Sequence, residues 1–269
     1  MYNLMVYIFI GLFLVMLVQI ILIKVKGNSI DHMENQDRID ELMSYIKAGK
    51  GSYVDASGRN VLMIAAATNY YGKRGEKNYL DVVKTAVQAG IRVDTKSLVE
   101  EKTALFYALS SPSGREVAEY LLACGANSMA TDKKGRIPLF ESIKRNGSGA
   151  YDLMVEKTSD INHQSQEGVT ALMVAARYMN IPAIHDLLDR GANVKLVQKD
   201  GLNAYDIGEK HKKEFYQRSG DSASSNNDDK HNHTIDEVVR KLYCAVHDKP
   251  YKARKFVPRQ TENMADDLD

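Results

Sequence analysis

Tryptophan is absent from this 269-residue chain, cysteine occurs only twice, and the charges almost cancel, with 36 basic against 35 acidic side chains. Two cysteines, Cys124 and Cys244, give no disulfide framework. A formal net charge of +1 sets up no global field toward nucleic acid or an anionic surface, so no nucleic-acid partner is expected. Catalytic signatures are missing too. There is no Gly-x-Ser-x-Gly elbow and no His-Glu-x-x-His. Gly72-Lys73-Arg74-Gly75 only superficially resembles a phosphate-binding loop, because the Gly-Lys-Ser/Thr ending is lacking. His231 and His233 form the one close histidine pair, in a polar stretch without the further ligands a zinc site needs. His185 reads as an exposed or hydrogen-bonded helix residue. The expectation is therefore a protein that is not an enzyme, with no cofactor, no metal and no small-molecule substrate.

What the chain does have is a period. The stretch Ser165 to Leu196 holds a turn (Gln166-Glu167-Gly168), then Thr170-Ala171-Leu172, then the small pair Ala175-Ala176. A second apolar run follows, Ile184 with Leu187-Leu188, closed by Gly191-Ala192-Asn193. This predicts two short helices joined by a hairpin turn, neither able to bury its apolar face alone. Units aligned on the residue three before the turn glycine start at Asp132, Ser165 and Gln198, at a spacing of 33 residues. A fainter start is Leu98. Thr103-Ala104-Leu105 and Ile137-Pro138-Leu139 fall in the slot of Thr170-Ala171-Leu172, and Leu121-Leu122 with Gly125-Ala126-Asn127 repeats the closure. A longer unit starts at Asp55, with Asn60-Val61-Leu62 and Ala65-Ala66, and carries Tyr70 to Asn78 as an insertion.

The period, the turn glycine, the Thr-Pro-Leu-His-like slot, the Ala-Ala pair and the Leu-Leu-x-x-Gly-Ala closure together resemble the ankyrin repeat family. The resemblance covers roughly residues 55–209. The histidine slot departs from it, holding Met63, Phe106, Phe140, Met173 and Asp206. The third unit closes on Thr158-Ser159 in place of Gly-Ala, and the fifth has Asn203-Ala204-Tyr205 and no obvious second helix. The resemblance implies an all-α solenoid of about five repeats: 55–97, 98–131, 132–164, 165–197 and a partial 198–209. Cys124, at the end of a repeat helix, is expected to be a buried structural thiol.

Outside the repeats, Leu4 to Ile23 has no charged residue and would span about 30 Å as a helix, the thickness of a bilayer core. Residues 1–27 therefore read as a single N-terminal transmembrane signal anchor, giving a single-pass membrane protein. Lys24 and Lys26 favour cytoplasmic repeats by the positive-inside rule. Residues 28–54 read as a juxtamembrane segment and a capping helix with Ile39, Leu42, Met43 and Ile46 on one face, ending at Lys47-Ala48-Gly49. Residues 210–233 are polar and read as a flexible linker. Residues 234–269 read as a helix capped by Thr234, with Ile235, Val238, Val239, Leu242, Tyr243 and Val246 on its apolar face, followed by a charged tail. That helix either packs on the last repeat or docks a partner.

Stacked repeats leave their turn tips and inner helices free to form a concave surface suited to a protein partner. The candidate contact residues at the tips are Arg59 and Asn60, then Glu101 and Lys102, then Lys133, Lys134 and Arg136. Gln166, Glu167, Lys199 and Asp200 follow, and Tyr70, Tyr71 and Arg74 add a second contact from the inserted loop, because tyrosine and arginine are favoured interface anchors. Two functions fit. One is a membrane-anchored binding module, similar in layout to bacterial ankyrin proteins that act as immunity partners of type VI secreted lipase toxins; this would need the repeats to face the periplasm. The other is a scaffold or adaptor on the cytoplasmic face of a membrane.

Overall fold

The computed structural model describes residues 35–49, 53–68, 78–111, 114–144, 149–219 and 226–252. Among these residues there is no strand, only an isolated antiparallel bridge between Val54 and Asn60. The chain divides into two compact units, Met1–Ser159 and Asp160–Asp269.

In the first unit the inner helices are α2 (Val61–Ala67), α4 (Ala104–Ser110) and α6 (Pro138–Lys144). Each is seven residues long. Isolated helices shorter than about 12–15 residues are marginal in water, so these exist only through packing. Six consecutive residues of each are buried, Val61 to Ala66, Ala104 to Leu109 and Pro138 to Ile143. The slot holding Met63, Phe106 and Phe140 is at most 1% exposed, so those departures enlarge the core. α2 packs on α4, and α4 on α6. The outer helices α3 (Tyr79–Gln88), α5 (Arg115–Ala123) and α7 (Tyr151–Lys157) bury one stripe each, for example Val82, Val83 and Ala86 on α3. Fully burying a valine of this kind is worth roughly 1.5–3 kcal/mol.

Local chemistry sets the helix starts. The Asn60 side chain accepts from the Met63 N–H, and Asn78 with Asp81 forms a reciprocal capping box on α3. The α4–α5 turn needs glycine at 114, because a Cβ there would lie 1.6 Å from the Ala108 carbonyl oxygen. α1 (Asn35–Lys47) covers the exposed end of α2 and α3 with Ile39, Leu42 and Ile46, and the helix ends before Gly49 as its cap sequence suggested.

In the second unit α8 (Ala171–Arg177) packs on α9 (Ile181–Asp189) and α10 (Ala204–Ser219), and α11 (Asn226–Val246) packs on α9 and α10. Here the structure differs from the expected linker. Residues 210–219 continue α10, and α11 begins at Asn226, eight residues before the expected cap at Thr234. Among the residues whose side chains are described, each helix buries a few apolar residues. They are Ala204 and Ile207 on α10, and Ile235, Val238, Val239, Leu242 and Cys244 on α11. The C-terminal helix thus packs in cis.

Two further expectations are corrected. Cys124 is exposed, because α5 ends at Ala123 and Cys124 is its C-cap, beyond the last core residue Leu121; Cys244 is the buried thiol. The single-pass membrane assignment is also corrected: among the described residues no helix is long and apolar enough to cross a membrane. The Leu4–Ile23 run lies outside the described residues.

Candidate functional site

Five short turns precede the inner helices, three in the first unit and two in the second. The first turn runs from Asp55 to Arg59. The Asp55 N–H donates to the Arg59 carbonyl at 2.9 Å, and the Gly58 N–H donates back to the Asp55 carbonyl at 2.9 Å. Asp55 Oδ1 accepts from the backbone N–H of Ser57 and of Arg59, both at 2.9 Å. Its Oδ2 accepts from Arg59 Nε at 2.7 Å and Nη2 at 2.6 Å. The third turn repeats this atom for atom with Asp132, Lys134 and Arg136. Burial opposes the charge on the Arg136 guanidinium, but Asp132, then Glu141 and Glu100, outweigh it and raise its pKa above the ordinary value.

The second turn is different. Its closing bond runs from the Ser97 N–H to the Lys102 carbonyl at 2.9 Å, so the unit starts at Ser97 rather than Leu98 and the turn is one residue longer. No glycine stands at its left-handed position; Glu101 takes it, at φ +54°. In the second unit Ser165 and Gln198 open the turns, with N–H groups donating to Val169 and Leu202 carbonyls, both at 3.0 Å.

Successive turns are tied together by backbone. The Leu98 N–H donates to the Gly58 carbonyl at 3.1 Å, Lys133 N–H to Glu100 at 2.9 Å, and, in the second unit, Lys199 N–H to Glu167 at 2.9 Å. Side-chain rungs reinforce this at the far end of the repeats: the Asn127 N–H meets Asp94 Oδ1 at 2.9 Å, and the Asn193 N–H meets Asn162 Oδ1 at 2.7 Å. Behind the first unit's turns sits Tyr107 on α4. Arg59 and Lys102 lie 5.7 and 5.9 Å from its ring centroid, and its hydroxyl donates to Ser97 Oγ at 3.2 Å. Burial raises the Tyr107 pKa, against the lowering effect of the Ser97 hydrogen bond.

The structure sorts the expected contact residues. Asn60 is buried as the α2 cap, and Arg59 and Arg136 are held by their aspartates, so these three build the turns. Lys102 is half-buried and paired with Glu100 at 3.2 Å. Glu101, Lys133, Lys134, Gln166, Glu167, Lys199 and Asp200 are exposed at the tips. Glu167 and Lys199 pair across adjacent turns at 3.2 Å. Tyr70, Tyr71 and Arg74 lie outside the described residues. Sequence reasoning missed Leu98 and Val99, exposed at the second tip by 75% and 55%. The available signal was a pair of large aliphatic residues in a slot that holds Ala-Ser, Lys-Lys, Gln-Glu and Lys-Asp in the other turns. Among the described residues no group of acidic, histidine or cysteine side chains is placed to hold a metal ion.

Residues 113–198 match the family model of ankyrin repeats, in three copies. These residues are ankyrin repeats. The turns at Asp132 and Ser165 lie within this match and are its fingers, a word used by likeness of geometry for the other turns; repeats of this kind are in general protein–protein interaction modules. Curated relatives agree. Human neurogenic locus notch homolog protein 2 is 28% identical over 93 residues, 34% of this chain. Human neurogenic locus notch homolog protein 1 is 25% identical over 152 residues, 55% of the chain. Rat ankyrin repeat and SAM domain-containing protein 6 is 32% identical over 145 residues, 40% of the chain. The chain spans only 4%, 6% and 16% of the lengths of these relatives.

Proposed function

We propose that this protein is a non-enzymatic binding module whose array of about five repeats, residues 55–209, holds a specific protein partner on its fingers. The observation that carries this is a contrast between finger backbone and finger tips, clearest in the first and third fingers. The backbone is fixed by the Asp55 and Asp132 clasps and by finger-to-finger hydrogen bonds, while the tip side chains stay in solvent. A pre-ordered exposed surface loses little entropy on association, which favours binding. The mixed tip charges would select among partners more than they add raw affinity. The finer readings, an immunity partner of a secreted lipase toxin or an adaptor at a membrane face, draw no support from the repeats or their relatives.

Co-purification tests it. The variant should be Lys133→Glu with Lys134→Glu, leaving Arg136 intact because it holds the finger together. Lys84→Glu on the outer helix α3 is the matched control, an exposed lysine reversed away from the fingers. The partner should be lost from the finger variant and kept by the control. Equal recovery from both would overturn the finger surface.

A further inference from the structure

The fingers of the first unit differ in a way that specifies their partner. Read along the tips, the first presents Ala56 and Ser57, the second Leu98 and Val99, the third Lys133 and Lys134, all exposed. The apolar step is held in place: the Leu98 N–H bonds the Gly58 carbonyl at 3.1 Å, and a Cβ added at Gly58 would fall 2.5 Å from the Leu98 Cβ. The leucine thus lies over the preceding finger with its outer face in water. An ordered, exposed aliphatic pair is an anchor that costs little to immobilise.

The charges around it do not balance. Each acid on these fingers meets a base of the same unit. Asp55 pairs with Arg59 at 2.6 Å and Asp132 with Arg136 at 2.6 Å. Glu100 pairs with Lys102 at 3.2 Å and Glu101 with Lys96 at 4.0 Å. Glu141, on the helix behind, takes Lys144 at 2.9 Å. Lys133 and Lys134 have no ion-pair partner among the described residues. The surface left for a partner is therefore aliphatic on one finger and doubly positive on the next.

Resting on the finger-binding reading above, we infer that the second and third fingers accept an extended segment of another protein in which apolar side chains cover Leu98 and Val99 and neighbouring carboxylates meet Lys133 and Lys134. A phosphate backbone fits less well. It would leave the aliphatic pair uncovered, and nucleic-acid grooves combine a longer run of cations with aromatic stacking platforms. Carboxylates set beside apolar anchors match both fingers at once.

A display library of random linear peptides, selected on the full-length chain, tests this without a known partner. Selected sequences should join an apolar residue to a cluster of Asp or Glu on one side. Leu98→Ser with Val99→Ser should weaken them by about tenfold or more, the range of an interface anchor. Lys133→Glu with Lys134→Glu should do the same and should reselect peptides rich in Lys or Arg. All four side chains are exposed, so unchanged thermal melts would establish that the variants fold. Selected peptides without acids, or binding indifferent to both variants, would overturn the inference. If that binding instead falls on Glu167→Lys with Lys199→Glu, the finger-binding function survives and only this assignment fails. No selection above bare support would overturn both. A dimer of this chain dispersed by Leu98→Ser with Val99→Ser would make a second copy the occupant and also overturn it.

Discussion

Arg136 donates from Nε and Nη2 to one oxygen of Asp132, at 2.8 and 2.6 Å, while the other oxygen of that carboxylate accepts two backbone N–H groups of the same turn. One side chain thus closes the finger and fixes the base that follows it. Asp132→Ala removes all four interactions from a side chain that is 2% exposed and should lower stability by about 2–3 kcal/mol, the range for losing hydrogen bonds to a buried charged group. Asp132→Asn keeps an acceptor for the backbone and should cost about half as much. Urea midpoints of the two variants measure this, and Asp55 should behave alike. A loss below about 0.5 kcal/mol for Asp132→Ala, the usual range of surface changes, would mean the clasp is not structural.

Glu101 holds a left-handed conformation at φ +54° in the place where the other fingers carry glycine. That backbone costs a residue with a Cβ about 1–2 kcal/mol, so Glu101→Gly should raise stability by about 1 kcal/mol. Gly58→Ala should do the reverse, because it meets both φ +72° and the Leu98 Cβ. Thermal melts decide, and a destabilised Glu101→Gly would show that its contact with Lys96 matters more than the backbone.

Leu172 and Leu187 are 1% and 0% exposed, and Leu242 on the C-terminal helix is 0% exposed. Each changed to Ala should cost about 2–5 kcal/mol, as for other large-to-small core changes. The Leu242 result is the informative one, since a helix waiting for a partner in trans would tolerate it. Val99→Ala, on an exposed tip, should stay within about 0.5 kcal/mol.

His185 on α9 shares a 2.9 Å hydrogen bond with Lys241 Nζ on α11. Burial, then the Lys241 charge, lowers its pKa from 6.5, with Asp189 opposing. A histidine depressed in the folded state contributes stability that is complete above 6.5 and is lost as pH falls through its lowered value. Between about pH 7.5 and 5, the native protein should therefore lose more melting temperature than His185→Gln, whose amide can still accept from Lys241. Parallel losses in the two proteins would show that this contact does not titrate.

Much of the fold was legible because finger glycines and buried Leu and Ala recur in phase; the turns at Asp55, Asp132, Ser165 and Gln198 were located from sequence alone. The second finger was misplaced by one residue because Glu101 does the work of a glycine, a conformation no residue type announces. The Asp55–Arg59 and Asp132–Arg136 clasps were missed for a related reason: an arginine beside a turn reads as a solvent-facing contact until its partner carboxylate is located. The polar stretches 210–219 and 226–233 read as linker because they carry few apolar residues, although they extend helices whose described buried apolar residues lie at 204–207 and 235–244. Leu98 and Val99 are hidden by alignment itself, since the faint start of the second unit falls on that apolar pair.

Site-specific photo-crosslinking in cells is the most direct test of a finger-bound protein partner. The photoreactive residue would replace Val99 or Lys134 at the tips, and Lys84 or Glu116 on the outer helices, all four exposed. The account predicts a discrete crosslinked protein from the two tip positions and none from the outer pair. Crosslinks of equal yield from the outer helices, or only from them, would contradict it.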